Sequence, residues 1–325
     1  MKEGGSAFTA LAFPRTLLIT ADHMKENRKF DVIIVGGSYS GLSAGMALGR
    51  SIRRVLIIDS GKPCNWQTPH SHNFLTQDGR TPKEISTLAR QQVERYDSVS
   101  FLNGLAVKGI KSDNGFDIQT GSGEIFQAKK LIFAAGVKDI IPDVKGFAEC
   151  WGISILHCPY CHGYEVKNER MGILANGDVA FEFSSLISNW TKDLTVLTNG
   201  VSTLTPEQTA RLASHSIKII EKEIERFDHK GGYVQNVVFK DGSMYSLKAL
   251  YTRLPFEQRS NLPQVLGCEL TEDGYIRVDG VQKTSVPGIF ACGDSTVRMR
   301  SVSNAVATGS TAGVMANKEM ITEAF

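Results

Sequence analysis

The sequence predicts an α/β protein organised around a reactive sulfur pair, and three observations carry that reading. Two stretches read as strand, tight turn, helix and strand, the pattern of dinucleotide-binding units. A C-x-x-C motif, Cys158-Pro159-Tyr160-Cys161, has a histidine on each side, His157 and His162, and is followed by Gly163-Tyr164-Glu165. Near the end, Gly288-Ile289-Phe290-Ala291-Cys292-Gly293-Asp294 reads as an apolar strand closing on a carboxylate.

A length of 325 residues suits two domains or one large one. Hydrophobic residues make up 42% and charged residues 22%, an ordinary globular balance. Lys and Arg number 36 against 34 Asp and Glu, a net charge of +2. That leaves no basic excess to neutralise phosphates, so nucleic acid is not an expected partner. No apolar run is long enough to span a membrane. Six cysteines with one C-x-x-C fit a reducing, cytoplasmic setting better than a disulfide scaffold. Pro14 and Arg15 interrupt the mildly apolar first residues, and Glu3 follows Lys2, which is not the pattern of an export signal. Residues 1–29 are expected to be an extension outside the fold, with Met24 resembling an ordinary start ahead of the first strand.

The first unit begins with Phe30-Asp31-Val32-Ile33-Ile34-Val35, a buried parallel strand by its β-branched run. The turn Gly36-Gly37-Ser38-Tyr39-Ser40-Gly41 follows, then a helix from Leu42 to Arg50 with small residues on one face. Arg54 to Asp59 reads as the second strand, ending on an acid 18 residues after Gly41. In such a unit the turn brings a pyrophosphate to the helix N-terminus and the acid binds a ribose diol. Ser38 stands where the G-x-G-x-x-G pattern has its second glycine.

Cys64 to Arg80 is a long polar segment carrying His70 and His72, which either line the cofactor or substrate side or are simply solvated. Thr81-Pro82-Lys83-Glu84 has the signature of a helix start, and that helix is expected to reach about Tyr96. Strands at 100–103, 105–111, 115–120 and 124–128 read as an antiparallel meander, and 130–136 as another buried strand.

After the C-x-x-C, Met171 to Ala175 reads as a strand, Ala175-Asn176-Gly177-Asp178-Val179-Ala180 as a turn opening a helix, and Asp193 to Thr198 as a strand. This second unit is degraded. Ala175 replaces the first glycine, and the strand ends in Thr198-Asn199, with no acid for a 2′-hydroxyl and no arginine for a 2′-phosphate. A helix at 205–213, strands at 217–220, 224–228, 234–239, 247–251 and 274–278, and a small-faced helix at 301–324 complete the prediction.

The C-x-x-C reads as a redox dithiol. Two cysteines at this spacing can close a disulfide, and an adjacent base raises the thiolate that does the exchange chemistry. His162, with an ordinary pKa near neutrality, is the candidate base. The competing reading is half a zinc site, which needs a second ligand pair; Cys64, Cys150, Cys268 and Cys292 are scattered and supply none. No metal is expected.

Taken in order, Gly36, Gly41 and Asp59, then the C-x-x-C, then the late Gly-Asp strand resemble the low-molecular-weight thioredoxin reductases, FAD-dependent pyridine nucleotide–disulfide oxidoreductases. The resemblance runs from Phe30 to the C-terminus. It implies two Rossmann-like, three-layer ββα domains, the second inserted into the first. The FAD domain would comprise residues 30–145 and 251–325, and the NAD(P)-type domain with the dithiol 146–250. Gly36, Ser38, Gly41, Asp59, Ser60, Gly293 and Asp294 would bind FAD. Cys161 would lie against the flavin and Cys158 would exchange with substrate, with His162 where the reductases carry an aspartate. NADPH, a thioredoxin-like protein or small disulfide as partner, and a homodimer are implied as well. The stretch Cys158-Pro159-Tyr160-Cys161-His162-Gly163-Tyr164-Glu165 is similar instead to the gliotoxin- and holomycin-type dithiol oxidases, which form a disulfide in a small dithiol and pass electrons to oxygen without NADPH. A third alternative is a non-catalytic FAD-binding redox sensor.

Overall fold

A computed structural model describes residues 28–325, so nearly all of the expected N-terminal extension lies outside the described residues. Strand β1 (Lys29–Val35) pairs in parallel with β2 (Val55–Asp59), and helix α1 (Tyr39–Arg50) crosses between them. Helix α2 (Pro82–Val93) opens on the expected capping box between Thr81 and Glu84 and ends one turn earlier than the sequence suggests. Strands β3 (Val99–Asn103), β4 (Ala106–Ser112), β5 (Gly115–Thr120) and β6 (Ile125–Phe133) follow.

The expected meander is corrected at both ends. β3 is the parallel outer neighbour of β2, and only β4, β5 and β6 run antiparallel. The two strands expected at 124–128 and 130–136 are one strand, β6. Lys129 and Lys130 do not break it, because both ammonium groups have acids to pair with: Lys129 meets Asp31, and the buried Lys130 meets Glu319 and Glu323.

The chain then leaves this sheet through β7 (Val137–Asp139), α3 (Phe147–Cys150), β8 (Ile155–Leu156) and the single-turn α4 (Pro159–His162). A second unit follows: β9 (Met171–Leu174), α5 (Gly177–Ile187), β10 (Leu194–Leu197), α6 (Pro206–Ser214) and β11 (Lys218–Ile220). An antiparallel layer of β12 (Ile224–Lys230), β13 (Tyr233–Phe239) and β14 (Met244–Ser246) precedes β15 (Ala249–Thr252). β8, β9, β10, β11 and β15 form a wholly parallel sheet in the order β11-β10-β9-β15-β8. β16 (Phe256–Gln258) pairs with β7, and α7 (Leu262–Val265) follows. β17 (Ile289–Ala291) returns to the first sheet parallel to β6, and α8 (Val302–Ala324) closes the chain. The second Rossmann-like unit is thus inserted between strands of the first. The strand expected at 274–278 is reduced to isolated bridges, Leu270 to Ile276 and Val278 to Thr284.

The first sheet is apolar on both faces, as a parallel sheet covered on both sides requires. Ile33, Val35, Leu56, Ile58, Leu131 and Phe133 fill one face. Val32, Ile34, Val55, Ile57 and Ile132 fill the other, against Leu42 and Leu48 of α1 and Ala312 and Ala316 of α8. Each such fully buried aliphatic side chain contributes about 1.5–3 kcal/mol. Helices α1 and α8 touch backbone to backbone, since a Cβ on Gly309 would fall 2.1 Å from the Ser40 carbonyl oxygen. This close packing fixes the N-terminus of α1, where the first glycine turn lies. Among the described residues no helix is long and apolar enough to cross a membrane.

Candidate redox site

The glycine turn is built by contacts that exclude side chains. Gly36 adopts φ +107°, and a Cβ there would meet the Ala134 carbonyl oxygen at 2.4 Å. A Cβ on Gly41 would lie 1.8 Å from the Gly36 carbonyl oxygen. Ser38 caps α1 with an extended backbone, and its hydroxyl makes no capping bond. The first amides of α1 are therefore open to an anion. At the end of β2, the Asp59 carboxylate accepts the Gly37 amide at 3.0 Å and the Gly61 amide at 3.2 Å.

From this turn a cavity of about 380 Å³ runs to the sulfur pair. Gly36, Ser38, Asp59, Ser60 and Asp294 line it at the turn, and Cys161, His162 and His157 line it at the other end. Gly41 and Gly293 sit behind its wall rather than on it; the Gly293 amide donates to Thr308 Oγ1 at 3.0 Å. The lining also includes Asn65, whose buried Oδ1 has no partner within the chain. A glycine cradle at a helix start, a strand-end carboxylate and an orphaned acceptor in one elongated cavity fit a dinucleotide cofactor.

Cys158 and Cys161 are joined by a disulfide with Cα atoms 5.3 Å apart. Cys158 caps α4, with Pro159 at its first position, and Cys158 Sγ accepts the Cys161 amide at 3.2 Å. The turn carries Cys161 and His162 to the cavity and leaves Cys158 off its lining. Among the described residues no group of three or more metal-ligating side chains comes together.

His162 is not near neutrality as the sequence suggested, and His157 is shifted as well. Burial drives His162 down to about 4, with Glu165 opposing and His72 adding to the shift. Burial drives His157 to about 3, aided by the positive charge of Arg300 and by His162. Both rings are neutral at pH 7 and can accept a proton.

Sequence reasoning left several groups at this site unassigned. Cys64 Sγ faces the Asp294 carboxylate at 3.7 Å. Burial raises Asp294 to about 6 against the pull of Arg300. Arg300 pairs with Asp139 at 2.8 Å, both side chains nearly buried. These partners stand 161 to 230 residues apart in sequence, so no local pattern announces them. His72 lines the cavity, while His70 lies off it with Nδ1 2.9 Å from the Gly79 carbonyl oxygen.

The second glycine turn is occupied by the chain itself. Asn176 Oδ1 accepts the Gly177 and Thr203 amides at 2.9 and 2.8 Å, and its Nδ2 donates to the Val201 carbonyl at 2.8 Å. Asp178, in the first turn of α5, accepts from Gln208 Nε2 at 2.8 Å. Glu221 accepts the Ser202 amide at 3.0 Å, and Asn199 Oδ1 accepts the Ile224 amide at 2.7 Å. The polar groups at this second turn are thus hydrogen-bonded within the chain.

Comparison with known proteins agrees with this architecture. The pyridine nucleotide–disulphide oxidoreductase family model matches residues 30–309. Thioredoxin reductase tcpT of Claviceps purpurea is 32% identical over 314 residues, covering 92% of this chain and 97% of that one. Thioredoxin reductase aclD of Aspergillus oryzae is 33% identical over 301 residues, covering 88% and 94%. The crystal structure of an oxidoreductase from Agrobacterium tumefaciens superposes with a TM-score of 0.85 at 36% identity, over 90% of this chain and 99% of that one. The chain belongs to the pyridine nucleotide–disulphide oxidoreductase family, within its thioredoxin reductase-like group, and is an FAD-dependent thiol–disulfide oxidoreductase.

Proposed function

We propose that the chain oxidises a small dithiol to a disulfide at Cys158–Cys161, with dioxygen rather than NADP as the partner of the flavin. The observation that supports this reading is the second turn, where Asn176, Asp178 and Glu221 are hydrogen-bonded within the chain. FAD would be held by the Gly36–Gly41 turn, Asp59, Ser60 and Asp294, with residues 30–145 and 251–325 as its domain and 146–250 as the dithiol-bearing domain. Bound there, FAD supplies the two-electron chemistry that links the sulfur pair to dioxygen.

His162 takes the proton of a substrate thiol. The thiolate attacks Cys158 Sγ, the Cys158–Cys161 bond breaks, and Cys161 leaves as a thiolate on the cavity wall. The second substrate thiol loses its proton and displaces Cys158, so the substrate disulfide forms and the enzyme holds the dithiol. One molecule of dithiol and one of dioxygen give one disulfide and one hydrogen peroxide per cycle. A homodimer, as the family resemblance implies, in the cytoplasmic setting that the cysteine usage suggests, completes the proposal.

The reductase reading, with NADPH as donor and a thioredoxin-like protein or small disulfide as acceptor, is favoured by the relatives tcpT and aclD, both named thioredoxin reductases. Anaerobic spectra of the flavoprotein separate the two. Bleaching by dithiothreitol but not by NADPH, with recovery and peroxide on admitting air, supports the oxidase. Bleaching by NADPH within seconds establishes the reductase instead, and a flavin that neither reagent reduces leaves the non-catalytic sensor.

A further inference from the structure

The segment from Ser71 to Arg80 is a closed loop that presents one side chain to the redox site. The Ser71 amide donates to the Arg80 carbonyl at 2.8 Å and the Gly79 amide to the Ser71 carbonyl at 2.9 Å, which shuts its neck. Asn73, Thr76 and Gly79 all have left-handed backbones, with φ of 58°, 74° and 79°. For a β-branched threonine that conformation is strained, and strain of this kind persists where surrounding contacts demand it. The loop is organised around Asp78. Its Oδ1 accepts the Asn73 amide at 2.7 Å, and its Oδ2 stands 3.6 Å from His72 Nδ1. The other nitrogen of that ring, Nε2, stands 3.5 Å from Glu165 Oε1. The His72 ring meets the His162 ring edge to face, with centroids 6.5 Å apart at 88°.

We propose that His72 and Glu165 are positioning residues for His162: the chain Asp78–His72–Glu165 holds a carboxylate where it favours the charged form of the His162 imidazole. The inference rests on the reading of His162 as the acid–base group. The carboxylate is the one group that opposes the burial of His162, whose neighbour His72 disfavours its charged form. Glu165 also raises the buried Tyr251 phenol, second to burial itself, and the His70 ring centroid lies 6.4 Å from that of His72. When a substrate thiol gives its proton to His162, Glu165 compensates the charge. His72, bracketed by Asp78 and Glu165, keeps that carboxylate in place. The compensation moves no electrons, so it serves thiol–disulfide exchange in either direction.

The test uses the FAD-loaded full chain and follows anaerobic flavin reduction by dithiothreitol from about pH 3 to about pH 9, a window that spans the value of about 4 to which burial drives His162. His162→Ala is expected to slow the reaction about 100-fold or more. Glu165→Gln and His72→Ala are each expected to slow it about tenfold, a share of that general-base contribution. The acid limb moves to lower pH in Glu165→Gln, because the group that raises His162 is gone. The double variant loses no more than the slower single one, since both act through one chain. His72→Gln, which keeps a donor for Glu165, recovers part of the rate. Glu165 is 41% exposed, so its substitution leaves folding intact and decides the matter if His72→Ala loses flavin. Wild-type rates and pH profiles in Glu165→Gln and His72→Ala, alongside a slow His162→Ala, overturn this inference alone. A wild-type rate in His162→Ala overturns the acid–base reading beneath it.

Discussion

The amide of Thr203 donates to Asn176 Oδ1 at 2.8 Å, and this bond ties the loop after β10 across the start of α5. Asn176 is at once the cap of the helix and the clasp of the loop. Loss of a cap costs about 1 kcal/mol, and the clasp adds to it. Asn176→Ala is expected to lower the melting temperature by about 2–4 °C per kcal/mol lost. A thermal melt checks this, and an unchanged midpoint means that the clasp holds nothing.

Gly41→Ala places a methyl group against the Gly36 carbonyl oxygen, where 1.8 Å is available. The turn must open, and with it the anion-binding helix start. The purified variant is expected to carry little flavin. Absorbance near the flavin band relative to protein measures this, and full occupancy contradicts the assigned cradle.

Cys161 lines the cavity and Cys158 does not. In flavin-loaded single variants, the thiol left in Cys161→Ser should therefore react with iodoacetamide faster than the thiol left in Cys158→Ser. Mass spectrometry of the alkylated protein gives the two rates, and the reverse order assigns the exchanging sulfur to Cys161.

Burial raises Asp294 from 3.8 to about 6 in the folded chain. The folded state thus binds the proton more tightly than the unfolded one. The resulting penalty is absent below pH 3.8, grows between 3.8 and about 6, and is complete above that. It amounts to about 3 kcal/mol. Asp294→Asn, studied without cofactor, is expected to be more stable than the parent at neutral pH and equal to it in acid. Denaturant titration at both pH values checks the sign.

His157 behaves oppositely. Its folded value of about 3 lies below 6.5, so its contribution is intact above pH 6.5 and is lost as pH falls toward 3. His157→Gln should flatten the acid side of the stability profile. A slope unchanged between parent and variant removes His157 from the acid-labile groups.

Local chemistry made much of this protein legible. The apolar runs of β1, β2 and β10 announced buried parallel strands because a strand covered on both faces can carry no polar alternation. Thr81-Pro82-Lys83-Glu84 announced α2 because its cap is satisfied within four residues. The C-x-x-C and the first glycine turn are likewise self-contained. The misreadings occurred where partners were distant. β3 looked like a meander strand, yet it pairs in parallel with β2, and no property of residues 99–103 alone distinguishes the two. β6 looked like two strands because Glu319 and Glu323, which neutralise Lys130, lie nearly 200 residues away.

What the sequence by itself determined is therefore the class of chemistry: two dinucleotide-type units and a dithiol with an adjacent imidazole, each coded in a short stretch. Only the tertiary structure decided how those pieces act on one another. Burial, which depends on everything packed around a ring, moved His162 from near neutrality to about 4. The fold brought His72 and Asp78 to His162 across some ninety residues of chain, and it filled the second turn with Asn176 and Asp178. Desolvation and charge pairing are properties of places in the folded molecule, and a linear pattern does not contain them.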